Sequence, residues 1–259
     1  MEVVLLGSGN VATHMGNALV RGGHHIKQVY SRTHAHAAAL AEALGAEAVV
    51  DLAAIDTHAD VYILAVKDDA IATVATQLPA TLQGVVAHTA GSVDMAVFDG
   101  YAASYGVCYP LQTFSKEKAV DFSIVPMAVE ASDDAAMDVL EPLAKSMSDR
   151  VFRCDSKQRL SLHVAAVFAC NFSNHLYATA ADILREHGLD FDLIRPLILE
   201  TAQKVLTHQP NDVQTGPAVR NDVRTLAKHR VFLEDYPALA ELYVLISHRI
   251  SAEAGAEKQ

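Results

Sequence analysis

The residues best suited to chemistry open the chain. Leu6-Gly7-Ser8-Gly9-Asn10-Val11-Ala12 follows a short apolar run. Gly7 permits a tight turn, Gly9 lets backbone approach a pyrophosphate, and Ala12, where a third glycine would stand, is small enough for close helix–strand packing. Free amides at the start of the next helix would hold the phosphates, Ser8, Asn10 and Val11 lying on that path. The end of the second strand selects the cofactor. An NAD site carries Asp or Glu there for the ribose hydroxyls; here stand Ser31, Arg32 and Thr33. Two hydroxyls and a guanidinium suit a 2′-phosphate, which points to NADP(H). The alternative is that Arg32 is a solvated residue and Thr33 a helix cap.

Two further segments leave strands at the same edge. Val66-Lys67-Asp68 offers backbone along the cofactor path and a lysine for phosphate or ribose, or simply an exposed lysine. His88-Thr89-Ala90-Gly91-Ser92 offers a histidine and hydroxyls to nicotinamide or substrate, although Ser92 also suits a helix N-cap. Further on, His163, Val167, Asn171 and Asn174 recur at helical spacing and share one face. His163 can move a proton near neutral pH, and Asn171 can bond a substrate carbonyl or the cofactor amide. The alternative is a satisfied core or dimer-interface network. Gln214-Thr215-Gly216-Pro217-Ala218-Val219-Arg220-Asn221-Asp222 forms the other polar cluster. Pro217 there precedes a helix whose amides could face an anion, with Arg220 as a carboxylate clamp, or else Arg220 and Asp222 staple the loop.

The elements that must position these residues change character midway. Val3–Leu6, Ile26–Tyr30, Glu47–Val50, Val61–Val66 and Val85–His88 read as strands, separated by helices over Val11–Arg21, His34–Leu44 and Asp68–Leu78. Tyr105–Tyr109 and Ile124–Glu130 extend the sheet before a helix over Ala135–Met147. Continuous apolar strands alternating with helices specify a doubly wound, mostly parallel α/β sheet. After Asp155 only helices remain: one long helix over Lys157–Glu186, then Leu193–Thr207, Val219–Arg230 and Ala238–Glu253. We place the boundary near residue 152, between a dinucleotide-binding domain (1–152) and an all-helical substrate or dimerisation domain (153–259).

The 259 residues carry 51% hydrophobic and 20% charged residues, the composition of a folded protein, and a net charge of −11 that argues against nucleic-acid binding. No apolar stretch reaches membrane-spanning length. Three cysteines match no metal or disulfide spacing, the histidines show no ligand pattern, and the N-terminus shows no leader; together these point to a metal-free cytoplasmic protein.

The glycine turn, Tyr30-Ser31-Arg32-Thr33 and Ile63-Leu64-Ala65-Val66-Lys67 resemble the coenzyme domain of the pyrroline-5-carboxylate reductase and ketopantoate reductase superfamily. Over nearly its whole length the chain resembles a branch of Rossmann-like oxidoreductases with a C-terminal helical domain of unknown function. Tyr109-Pro110-Leu111-Gln112-Thr113-Phe114, His163 to Phe172, and Gln214 to Arg220 carry that likeness. It implies an NADP-linked reductase or dehydrogenase, dimeric through the helical domain, and supplies no substrate; our own expectation is a small carbonyl, imine or alcohol. Arg220, Thr215 and Asn174 would meet an anionic substrate. The other possibility is a non-catalytic NADP(H) sensor. Related dehydrogenases place a catalytic lysine one turn before an Asn on the long helix. Here Val167 stands four residues before Asn171 and Cys170 four before Asn174, so either another group, His163 first among them, transfers the proton or no such transfer occurs.

Overall fold

The computed structural model describes residues 1–115 and 118–256. Two compact units divide the chain after His175.

In the first unit, eight strands form one sheet in the order β3-β2-β1-β4-β5-β6-β7-β8. They are β1 (Glu2–Leu6), β2 (His25–Tyr30), β3 (Glu47–Val49), β4 (Val61–Leu64), β5 (Val85–His88), β6 (Tyr105–Pro110), β7 (Met127–Ala131) and β8 (Val151–Arg153). β1 to β6 run parallel, and β7 pairs antiparallel with β6. β8, too short to stand out as a strand in the sequence, adds parallel to β7. The fold is a Rossmann-like, mostly parallel sheet, as the apolar strands predict.

Continuous apolar strands arise because both faces are covered. Val3 and Leu5 of β1 face one side, packed with Met15 and Leu19 of α1 (Asn10–Arg21) and with α2 (His34–Leu44) and α4 (Asp134–Met147). Val4 and Leu6 face the other, with Ile71 and Val74 of α3 (Asp68–Ala75) and with Phe98. Each such fully buried side chain is worth about 1.5–3 kcal/mol. The order reverses at β1, whose neighbours are β2 and β4. That switch point opens a crevice at the carboxyl ends of the strands, where open α/β sheets bind ligands.

The expected single long helix is interrupted. α5 (Ser156–Ala166) runs into a π-helical segment, Val167–Phe172, and then α6 (Ser173–Glu186). α5 starts at a capping box: Gln158 N–H donates to Asp155 Oδ1 at 2.7 Å, and Asp155 N–H to Gln158 Oε1 at 3.0 Å.

The second unit continues α6 and adds α7 (Arg195–Val205), α8 (Val223–Phe232) and α9 (Pro237–Ala256). α6, α7 and α8 contain no buried residue. Among the described residues no helix is long and apolar enough to cross a membrane.

Candidate active site

The glycine turn leaves β1 and enters α1 at the switch point. Gly7 has φ +128°, and a Cβ there would stand 2.2 Å from the Ala65 carbonyl oxygen, so only glycine fits between β1 and the end of β4. Its N–H donates to the Tyr30 carbonyl at 2.8 Å, tying the turn to β2. A Cβ on Gly9 would meet nothing within 4 Å, so the space before the helix is open. α1 has no acidic residue in its first turn and no side chain capping it from Gly9, leaving its amides for an anion. By contrast, Asp68 and Asp69 fill the first turn of α3, which Lys67 precedes as an exposed residue. Of these two helix starts, that of α1 is the one suited to a phosphate.

Ser8 Oγ donates to Ser31 Oγ at 3.0 Å, joining the turn to the end of β2. Arg32 is exposed and makes no ion pair among the described residues. Thr33 occupies the N-cap of α2, but its hydroxyl makes no capping bond, and α2 also lacks an acidic first turn. A guanidinium and an unused hydroxyl stand beside a positive helix end. These residues fit a dinucleotide with a 2′-phosphate.

Downstream along the same edge, Asn10 and His14 of α1 hold the segment after β6. Asn10 Nδ2 donates to the Phe114 carbonyl and His14 Nε2 contacts the Ser115 carbonyl, both at 2.8 Å, with the His14 and Phe114 rings stacked. Asn10 is thus partly engaged by protein. Phe114, Gln112 and Thr113 form one wall of a 670 Å³ cleft; the other wall comes from α5 and the π-helical segment. At its base Tyr109 Oη lies 3.1 Å from His163 Nδ1. Tyr109 comes from the end of β6 and is only 9% exposed. Burial, and then the charge of Asp68, push its phenol pKa up against the opposing Arg159 charge, so it is protonated at neutral pH. A Cβ on Gly91 would lie 2.7 Å from His163 Nδ1 and 2.8 Å from Tyr109 Cζ, so a bare glycine lets the loop after β5 close on this pair.

The structure brings some expected residues together and separates others. His163, Val167 and Asn171 line the cleft, while Asn174 does not. The π-helical turn is wider than an α-turn, so α-helical spacing does not carry a face across it. His88 is fully buried beside Phe98, its Nδ1 accepting the Ala90 N–H at 3.1 Å. Burial, with the Arg159 charge second, pushes its pKa down to about 3, so the ring is neutral and interior, with no surface open to a cofactor. Ser92 donates to Asp68 instead of capping a helix. Val66, half-buried, packs against the core.

In the second unit, Thr215 lines an apolar cavity of 280 Å³. The helix after Pro217 starts later than its spacing suggests, at Val223, because residues 218–221 form a turn and Asn221 takes φ +50°. Asp222 caps that helix, accepting from Thr225 N–H at 3.1 Å and Thr225 Oγ1 at 2.7 Å, so its carboxylate occupies the place expected for an anion. Arg220 is exposed.

Comparison with known proteins decides the family. Residues 2–89 match the family described as "NADP oxidoreductase coenzyme F420-dependent", and residues 125–250 match a domain of unknown function, DUF2520. A crystal structure from Bacteroides fragilis, titled "putative NADP oxidoreductase", is 44% identical, with a TM-score of 0.87 over 97% of this chain and 98% of that one. The chain belongs to this NADP oxidoreductase family. A 1-pyrroline-5-carboxylate reductase from Streptococcus pyogenes has the same fold at 12% identity and TM-score 0.64, covering 97% of this chain and 98% of its own. So does an imine reductase from Myxococcus stipitatus in complex with NADP+, at 15% identity and TM-score 0.68 over 98% and 96%. A comparison with curated proteins gives no match.

Sequence reasoning missed two members of the site. Tyr109 enters there only inside a resemblance motif, although a tyrosine ending a strand at the ligand edge is a legible signal. Gly91 reads as one of several loop residues; its closeness to His163 is a tertiary fact.

Proposed function

We propose that this chain is a cytoplasmic NADP(H)-dependent reductase of small imines or carbonyl compounds, with Tyr109 and His163 as its proton-delivering pair. The observation that carries this is the 3.1 Å contact between Tyr109 Oη and His163 Nδ1 at the base of a cleft on the cofactor edge of the sheet. NADPH supplies the hydride when bound. The α1 amides, Ser8, Ser31, Arg32 and Thr33 are the groups suited to hold it.

The chain's own residues supply the rest. As the heteroatom of the C=N or C=O bond gains the electron pair, the Tyr109 hydroxyl hands it a proton. His163 then relays a proton to the phenolate, giving one from Nδ1 as Nε2 takes one from solvent, which restores both groups. Asn171 offers its amide to the substrate, and the apolar wall of Leu162, Ala166 and Phe114 excludes water around it. Tyr109 is assigned as the acid because burial keeps its phenol protonated at neutral pH. No residue of the second unit is needed for this reading.

We also infer a homodimer. Leu193, Leu197, Leu199, Leu206, Val231 and Leu245 of the second unit are each 58–81% exposed. Surface of that kind is covered by another copy more readily than left in water.

The test is NADPH oxidation over a panel of cyclic imines and 2-oxo acids, comparing wild type with Tyr109→Phe and His163→Ala. With the turnover substrate found, each variant should lose about 10²–10⁴-fold in kcat at unchanged NADPH affinity. Undiminished turnover in both would remove the pair from the mechanism.

A further inference from the structure

His163 sits one helical turn beyond Arg159 on α5, and Arg159 is the most completely buried cation described, at 1% exposure. Its guanidinium is spread over three elements. Nη1 donates to Glu130 Oε2 on β7, and Nη2 donates to the Val93 carbonyl in the loop after β5 and to Ser156 Oγ at 3.1 Å. Glu130 also accepts the Ser156 N–H at 2.8 Å and the Ser156 hydroxyl at 2.9 Å, which fixes the first turn of α5. Ser156 Oγ in turn accepts the Met95 N–H at 3.2 Å. The loop that carries Gly91 is therefore fastened to α5 at Val93 and Met95, and it closes on His163 at Gly91.

A buried Arg–Glu pair is a weak source of stability, because desolvation offsets its attraction. Its effect is geometric. A forked cation that meets a strand, a loop and its own helix leaves α5 one rotation and one height against the sheet. Every group that touches the Tyr109–His163 pair then depends on it: β6 beside β7, the Gly91 loop, and α5.

We infer that Arg159, seated on Glu130, is the positioning residue that sets the His163 ring against Tyr109. The inference rests on the proposed role of that pair, but it can fail separately. Arg159 touches neither substrate nor cofactor in this account. Lysine cannot replace it, because a single ammonium cannot reach a carboxylate and a carbonyl in the same fork.

The experiment uses full-length protein and reads His163 directly. Ring ¹⁵N shifts of His163, assigned by its loss in His163→Gln, are recorded for wild type, Arg159→Lys and the double variant Arg159→Met/Glu130→Gln, with NADPH affinity measured for each. The double variant leaves no unpaired buried charge, so it keeps a folded sample if the lysine variant fails to fold. Wild type should show a fixed Nδ1 hydrogen bond. Both variants should move towards the averaged shifts of a solvated histidine while binding NADPH within twofold of wild type. Where turnover is measurable, kcat should fall at least 10-fold with KM little changed. Wild-type His163 shifts in folded variants would overturn the inference. Normal shifts in wild type together with full activity of His163→Ala would instead overturn the role of the pair and leave Arg159's positioning intact.

Discussion

Gly7 shows how little freedom a single position can have. Its φ of +128° and the 2.2 Å approach of the Ala65 carbonyl leave no room for a methyl group. Gly7→Ala should cost at least about 2 kcal/mol in urea denaturation and should weaken NADPH binding with it. A variant of wild-type stability would contradict the packing described. Arg32 is the opposite case, exposed and unpaired among described residues, and its loss should leave stability alone. Arg32→Ala should weaken NADPH about 10–100-fold, the worth of a charge-assisted phosphate contact, and barely touch NADH. Equal loss for both cofactors would remove the 2′-phosphate assignment. His88 gives a pH dependence. Its folded pKa, about 3, lies below the unfolded value of 6.5, so between those limits the unfolded chain binds the extra proton. Its contribution to stability is complete above pH 6.5 and is lost as pH falls, by about 2 kcal/mol from pH 7 to pH 5. His88→Gln should flatten that limb of the stability curve; an unchanged slope would place the titration elsewhere.

At the scale of elements, the π-helical segment separates what the sequence makes legible from what it does not. Strands β1 to β7 and helices α1 to α4 are readable because local pattern and tertiary demand agree: apolar runs lie in a sheet covered on both faces, and turns carry glycine. The glycine turn is legible as well, since its spacing directly after β1 marks it, even though Gly7 answers to Ala65 and Tyr30, far along the chain. β8 is not readable, being three residues at an edge. The π-helical turn is not readable either, because Val167–Phe172 carries no glycine or proline to mark it. His163 and Asn171 are legible as polar groups on an apolar helix, but Tyr109 and Arg159 acquire their roles only through partners 54 and 29 residues away. Deleting Ala169 tests the segment. Removing one residue should let a regular α-helix run through and take the extra residue out of the cleft wall. Turnover should fall while NADPH affinity stays; retained turnover would show that the wide turn does nothing for the cleft.

At the scale of the molecule, the two units differ in how they are held. The first closes two apolar cores around a sheet, whereas the second leaves large side chains on α7, α8 and α9 in water. Light scattering should therefore give about twice the chain mass of 27.8 kDa, and a monomer at micromolar concentration would refute the dimer. Against the net charge of −11, the proposed cofactor site is a local exception, in which helix amides and one arginine would hold an anion against the global field. That exception is the centre of the account. Calorimetric titration of the full chain with NADPH and with NADH measures it directly. The account predicts saturable NADPH binding at least 10-fold tighter than NADH; absence of binding by either at millimolar concentration, or a preference for NADH, would contradict it.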